Sequence, residues 1–434
     1  MAEEQAPLRA PVGTKDVLWP ESDRWMELVA RFARRVRRAG YGLALTPLFE
    51  EARLFRRAVG EHNDVVGKEM YEFDDRGGRH MALRPEGTAP VVRAFVQHHP
   101  PVPWKAWYVT PAFRYERPQA GRYRQHHQLG VEALGTDDAD LDVEVVALAA
   151  GFYDELGLRQ VTLAVNSMGC AECRPAYVAA LTEYLTSRRH DLCDEHKDRF
   201  ERNPLRVLDC KRPACRQATA EAPRMVDFLD PQCASHFERV RGGLGALGIE
   251  HHLEPRLVRG LDYYTRTTFE FAATALDTAQ NAVGGGGRYN GLAEAIGGGP
   301  TPGIGFGIGI ERLLLACDAE GCFSPAASVP DAFVVDVTGG EMARDLAEEL
   351  RRAGLAAERA YDGRSLKSQL KAADRSGAAV AVIVGPDEVA AGTVTLRGLR
   401  HQGAQEQVPR RVMVERVTAM AAEIHTPETH NPER

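Results

Sequence analysis

Residues Phe113–Gly135 read FRYERPQAGRYRQHHQLGVEALG, with arginines, glutamines and carboxylates crowded around Gly121. Arg114 follows an apolar run, Ala106, Trp107, Tyr108 and Val109, then Ala112 and Phe113. That pattern predicts a guanidinium projecting from a rigid sheet. A core strand would avoid such chemistry, because a buried arginine without an anionic partner is costly. Fixed planar donors at this density suit a triphosphate, and rigid placement is what charge stabilisation demands.

Beyond the turn at Pro118 to Gly121 the chain resumes with Gln125, Gln128, Leu129, Gly130, Val131 and Glu132. Polar residues three or four apart would fit a helix face, but the intervening Leu129 and Val131 fit a returning strand better. On that strand Gln128, Gly130 and Glu132 share one face. Two polar side chains then flank a residue with none, which predicts a pocket floor for a small polar ligand. A solvated hairpin with scattered charges is the competing reading.

The chain has 434 residues, more than one hydrophobic core ordinarily serves, so two or three domains are expected. Hydrophobic residues at 44% and charged residues at 26% exclude a mostly disordered or collagen-like chain. A formal charge of -7 gives no global attraction to nucleic acid, although a local basic face can still bind phosphate. The amino terminus, MAEEQAPLRA, has no signal-peptide pattern and no run is long enough to cross a bilayer. A cytoplasmic protein with no membrane partner is expected.

Ser22 is positioned to cap a helix carrying Trp25, Leu28, Val29, Phe32 and Val36, with Gly40 as its stop. A strand through Leu43, Leu45 and Pro47 is expected at a sheet margin or subunit contact, since proline disfavours central strands. MALRPEGTAPVVRAF, from Met81, predicts strand, turn and helix, with Glu86 and Thr88 at the turn. Residues 140–156 read as a helix ending at Gly157, and VTLAVNS from Val161 as a strand. Cysteines, arginines and short helical pieces then replace alternating strands. The expected organisation is therefore a catalytic domain over 1–168 and 242–325, interrupted by a mainly helical insertion over 169–241. SPAASVPD marks the next boundary, followed by an α/β domain over 331–420 and a flexible tail over 421–434.

Gly303, Gly305, Gly307 and Gly309 alternate with Ile304, Phe306, Ile308 and Ile310, so one strand face is bare backbone and the other apolar. A flat ligand could lie on the bare face, beside Glu311 and Arg312; close packing of a helix there is the alternative. Glycines within a strand do not match the dinucleotide-binding turn, and no G-x-x-x-x-G-K-[ST] loop occurs. In LVRGLDYYTR, Arg259 precedes Gly260, Asp262, Tyr263 and Tyr264, a setting suited to gripping a carboxylate and then a charged phosphoryl group. The run Gly284 to Gly287 would let backbone approach a ligand before Arg288 and Tyr289.

The quoted stretch resembles motif 2 of the class II aminoacyl-tRNA synthetases, and GIGFGIGIERL resembles their motif 3. LRPEGTAP, LVRGLDYY and GGGGRYNGL narrow the resemblance to the histidyl-tRNA synthetases, over nearly the whole chain from Pro11. It implies an α+β protein: a six-stranded antiparallel catalytic sheet, a homodimer formed partly around Pro47, and a C-terminal α/β anticodon-binding domain. The implied reaction ligates L-histidine to tRNA(His) with ATP and Mg²⁺. Arg114 would contact the α-phosphate, Arg312 the triphosphate and adenine, and Arg122 ATP or the tRNA acceptor end. Glu86, Thr88 and Gln128 would receive the substrate amino group, and Arg259 its carboxylate and then the α-phosphate. Glu132 and Tyr264 would bond the imidazole, with Tyr263 beside them. Glu132 or a nearby carboxylate is a candidate Mg²⁺ contact. The rival is a non-catalytic regulatory paralogue, whose kind lacks the anticodon domain and erodes the ATP arginines.

Six of the eight cysteines lie between Cys170 and Cys233. Cys170-x-x-Cys173 and Cys193-x-x-His196 together have zinc-ligand spacing, with Cys210 and Cys215 nearby. Reduced thiols in a tRNA-contacting insertion, with Arg199, Arg202, Arg206, Lys211 and Arg212, are the alternative. Arg364, Lys367, Lys371 and Arg375 could form a basic helix face toward RNA.

Overall fold

The alternation in the opening stretch is realised as a hairpin in which Trp104–Phe113 and Gln125–Leu134 pair antiparallel, from Trp104 opposite Leu134 to Phe113 opposite Gln125. In this computed structural model, which describes residues 7–60, 65–261, 263–276, 281–325, 328–400 and 405–425, the hairpin belongs to an eight-stranded sheet. Beyond Gln125–Leu134 follow Gly303–Gly309, Ala282–Arg288, Thr265–Ala273 and Val161–Ser167, all antiparallel. The expected six strands are thus present. Two-residue strands, Gly42–Leu43 and His252–Leu253, add a parallel partner at each edge.

The sheet has two chemically distinct faces because its side chains alternate. Leu129, Val131, Ala133, Ile304, Phe306, Ile308, Phe269 and Phe271 are buried on one face, in a core shared with helices Glu21–Arg38, Ala139–Glu155 and Ile310–Glu320. Each such residue contributes roughly 1.5–3 kcal/mol when fully buried. The other face carries His126, Gln128, Glu132, Glu270 and the glycines. A separate three-stranded antiparallel sheet, in the order Phe49–Glu51, His80–Leu83 and Glu72–Asp74, leads into helix Thr88–His98.

Local details differ from expectation at three places. The first helix begins at Glu21 after Pro20, so Ser22 lies inside its first turn and caps nothing. Its stop is as predicted, with Gly40 at φ +85°. Of the strand expected through Leu43, Leu45 and Pro47, only Gly42–Leu43 forms, at the sheet edge. Arg114 lies one residue beyond its strand, though its N–H still donates to Arg124 O (2.8 Å) and extends the hairpin.

Residues 169–241 hold the helices Arg174–Ser187, Leu205–Leu208 and Pro213–Ala218 around Tyr177, Leu181, Leu185 and Phe200. The next helix, Pro231–Ala246, continues past 241 and packs on Ala139–Glu155. Residues 1–325 form one compact unit and 326–434 another. The second unit has the strand order Ala357–Arg359, Ala332–Asp336, Val380–Val384, Thr393–Gly398, Glu406–Pro409. The first three are parallel and the rest antiparallel, giving a mixed sheet. Its last helix, Met413–His425, buries Val417 and Ala421 in the core, so the expected tail does not begin at 421; residues 426–434 lie outside the described residues.

Candidate active site

On the polar face of the large sheet a cavity of about 390 Å³ is lined by Arg114, Arg122, Arg259 and Arg312, together with Gln128, His126, Glu116, Glu270 and Glu311. Each guanidinium is tethered. Arg114 Nε donates to Pro85 O (2.9 Å), Arg312 Nη1 to Ala282 O (2.8 Å) and Arg259 Nη1 to Glu270 Oε2 (2.8 Å), while Arg122 pairs with Glu116. Among the described lining residues, the Arg259 Nε donor and the Gln128 Oε1 acceptor have neither a hydrogen-bond nor an ion-pair partner. Since buried polar groups are normally satisfied, this donor and acceptor are ready for a ligand.

Glycines build the floor, in a graded way. A Cβ at Gly303 would strike the Tyr289 ring and one at Gly305 the Glu132 carboxylate, so protein fills that half. At Gly307 the nearest atoms would be 3.8 and 4.0 Å away, and at Gly309 none lies within 4 Å. That half opens on the cavity. Gly285 has a different purpose, since a Cβ there would sit 2.7 Å from Arg259 Nη1. Gly130 is not open floor as expected, because the Tyr108 ring lies on it.

Beneath the cavity is a buried layer. The Thr88 hydroxyl donates to Glu132 Oε1 (2.7 Å), Tyr108 OH donates to the same oxygen (3.3 Å), and Tyr289 OH donates to Oε2. Burial pushes the Glu132 carboxyl up to about 8 despite these bonds, so it carries its proton at neutral pH. Glu132 does not line the cavity, which removes it as the Mg²⁺ contact suggested by its sequence position. Glu86 accepts from the N–H groups of Thr88 and Ala89 (both 2.7 Å), satisfying orphan donors at the start of the Thr88–His98 helix. Tyr263 and Tyr264 stack with centroids 4.6 Å apart, and the Arg259 guanidinium lies 5.8 Å from the Tyr264 ring. Of the residues expected around histidine, only Gln128 and Arg259 reach the cavity wall. Asp262 lies outside the described residues.

Several site residues escaped the sequence reading. His126 shares the face of Gln128, and burial followed by the Arg114 charge depresses it to about 3, leaving a neutral imidazole among the arginines. Glu270 and Tyr108 also belong here, and parity along their strands was the available clue. Arg288, by contrast, is wholly buried against Asp142 and the carbonyls of Thr136 and Asp138, which makes it a structural anchor away from the cavity.

The expected zinc spacing is divided by the fold. Cys170 and Cys173 meet Asp230 and Cys233, whereas Cys193 and His196 meet Cys210 and Cys215. The two Cys-x-x pairs therefore belong to different clusters.

An antiparallel sheet presenting arginines over a glycine floor, followed by an α/β unit, defines a class II aminoacyl-tRNA synthetase. The family profile of histidyl-tRNA synthetase matches residues 13–313, and that of the anticodon binding domain matches 331–420. A Moorella thermoacetica protein named histidine–tRNA ligase is 51% identical over 411 residues, covering 93% of this chain and 96% of its own. One from Desulforamulus reducens, with the same name, is 46% identical, covering 93% and 97%. The crystal structure of apo S. aureus histidyl-tRNA synthetase superposes with a TM-score of 0.80 at 34% identity, covering 95% of this chain and 100% of that one. The chain belongs to the histidyl-tRNA synthetase family.

Proposed function

We infer that this chain ligates L-histidine to tRNA(His) in translation, consuming ATP and passing through a histidyl-adenylate. The observation that carries this reading is the convergence of four tethered guanidiniums on one glycine-floored cavity, beside an unpaired amide carbonyl. Arg114, Arg122 and Arg312 balance the triphosphate, and the open backbone at Gly307 and Gly309 takes its flat base. The Gln128 carbonyl receives the ammonium of histidine, and Arg259 receives its carboxylate. The imidazole, donor at one nitrogen and acceptor at the other, is directed from the Gln128 and Arg259 wall toward the buried layer of Glu132, Tyr263 and Tyr264. Glu86 and Thr88 support that pocket from below.

A carboxylate oxygen of histidine attacks the α-phosphorus in line, forming the new P–O bond as pyrophosphate leaves with its bonding electrons. The terminal ribose hydroxyl of tRNA then attacks the adenylate carbonyl and AMP departs. Arg259 and Arg114 hold the charge that builds on the α-phosphoryl oxygens, so positioning and electrostatics suffice without a protein nucleophile. Mg²⁺ travelling with ATP would meet Glu270 on the cavity wall, where it would neutralise phosphate charge, since Glu311 is already held by the His127 N–H and ring. A site built for both imidazole nitrogens rejects apolar amino acids strongly.

In the second unit Lys367, Lys371 and Arg375 stand exposed on helix Leu366–Arg375, with Arg364 before it, and this face meets the anticodon stem. Leu43, Leu45, Leu48 and Phe49 are exposed at the sheet margin and form the homodimer contact around Pro47. No helix among the described residues is long and apolar enough to cross a membrane, and the chain acts in the cytoplasm. ATP–pyrophosphate exchange with each amino acid in turn tests the activity. Histidine alone should respond, and exchange with another amino acid, or none, would refute the assignment.

A further inference from the structure

We propose that the helical insertion binds two zinc ions, one at Cys193, His196, Cys210 and Cys215 and one at Cys170, Cys173, Asp230 and Cys233. All six insertion cysteines fall into these two groups, and within each group the four ligand atoms lie within 4.8 Å of one another. Zinc at about 2.3 Å from sulfur and about 2.0–2.1 Å from imidazole nitrogen requires tetrahedral edges of roughly 3.5–3.8 Å. At the inner site His196 Nδ1 lies 3.1 Å from Cys193 Sγ and 3.8 Å from Cys215 Sγ. At the outer site Cys170 Sγ lies 3.5 Å from Cys173 Sγ and 3.0 Å from Asp230 Oδ2. Each set sits close to the geometry an ion would impose.

Backbone groups orient the sulfurs. Cys170 N donates to Cys173 Sγ (3.1 Å) and Cys193 N to Cys215 Sγ (3.3 Å), the kind of supporting bond that orients metal ligands. Gly169, at φ +62°, would place a Cβ 2.7 Å from Cys173 Sγ, so glycine is required beside that ligand. Asp230 divides its labour: Oδ1 accepts from Cys233 N (2.8 Å) at the start of helix Pro231–Ala246, leaving Oδ2 facing Cys170.

The two sites are nested in sequence. Cys170 and Cys173 open the insertion while Asp230 and Cys233 close it, so the outer ion ties its ends together; the inner ion ties the middle. The cysteines lie against the region's apolar cluster of Tyr177, Leu181, Leu185 and Phe200, and metal binding adds its own folding free energy to such a core. Cys210 also lies between Asp209 and Lys211, both of which line the arginine cavity. The inner ion therefore fixes that strip against the cavity, a link that rests on the cavity being the ATP site.

Full-length protein without a histidine tag, purified under reducing conditions and without chelator from zinc-supplied cells, should contain two zinc per chain by mass spectrometry. Cys215→Ser and Cys233→Ser should each leave one, whereas Cys322→Ser, outside both clusters, should leave two. His196→Cys keeps a four-ligand set and should retain both ions. Titrating the unaltered protein with a mercurial should release two zinc in step with the thiols, which removes dependence on variant folding. Zinc near zero overturns both sites; a single ion lost only in Cys215→Ser overturns the outer one, and a single ion lost only in Cys233→Ser the inner. With the inner ion gone, the KM for ATP in exchange should rise about tenfold. An unchanged KM refutes the link to the cavity while the metal count stands apart from it.

Discussion

Arg259 is held from below by Glu270 and kept clear of the sheet by the missing side chain of Gly285, with its Nε still unsatisfied. In the proposed mechanism truncating it removes a donor to developing phosphoryl charge, a loss of about 10²–10³-fold or more in rate. Glu270 is partly exposed, so its lost partner costs little stability. Arg259→Ala should therefore abolish histidine-dependent exchange while circular dichroism and the melting profile stay near normal. Glu132 makes a second test. An unfolded chain releases this proton near the ordinary 4.5, but the native protein keeps it until about 8. The native state thus binds more protons across that window, and stability falls as pH rises through it before levelling off, by an amount on the order of a few kcal/mol. Glu132→Gln abolishes the term, so the stability gap between the two proteins in urea should change steadily between pH 5 and 8; a constant gap would mean that Glu132 is ionised when folded. Arg114, Arg259, Arg312 and Gln128 were legible in the sequence because such groups are out of place in a core. Glu270 was not, since a single carboxylate in TRTTFEFAA reads as any strand's solvent side, and the hydroxyls bonded to Glu132 depend on Tyr108 arriving from one strand and Tyr289 from just past the end of another.

The Gly303–Gly309 strand separates structural from functional glycine within one element. A methyl at Gly305 would be driven into the Glu132 carboxylate and the Val131 carbonyl, and overpacking of this kind costs about 1–3 kcal/mol. A methyl at Gly307 meets only ordinary contacts. Gly305→Ala should lower the urea midpoint, whereas Gly307→Ala should leave it unchanged and raise the KM for ATP or histidine. Equal stability losses in both would mean the floor is packed throughout. Alternation alone exposed this strand's two faces, because period-two patterning is local information. The edge strand His252–Leu253 was invisible for the complementary reason, and the strand expected through Leu43, Leu45 and Pro47 is realised only as Gly42–Leu43: two residues have no period, and only a neighbouring strand makes them sheet. The Ser22 cap failed similarly, since Pro20 already begins the turn that a serine would have initiated.

At the scale of the molecule, the proline-flanked stretch at Ser324 announced the division that the fold makes after Pro325. The insertion's attachment was less legible, because helix Pro231–Ala246 continues beyond it to pack on Ala139–Glu155, a contact between segments far apart in sequence. Each unit has its own core, one centred on Phe152, Phe269 and Phe306 and the other on Val334, Val382 and Leu396. Neither core borrows residues from the other. Adenylate chemistry needs only the arginine cavity, all of whose lining residues precede 326, whereas the basic helix Leu366–Arg375 lies beyond it. A chain ended at Pro325 should therefore fold and retain histidine-dependent pyrophosphate exchange near the full-length rate. Aminoacylation of tRNA(His) should collapse: losing contacts worth on the order of 3 kcal/mol cuts kcat/KM by about a hundredfold. Charge reversal at Lys367 and Lys371 in the full-length protein should reproduce the tRNA defect, with a salt dependence shallower than normal because fewer phosphates are neutralised. Undiminished charging by the truncated chain would place tRNA recognition entirely on the first unit, and a parallel loss of exchange would show that the second unit supports the cavity itself.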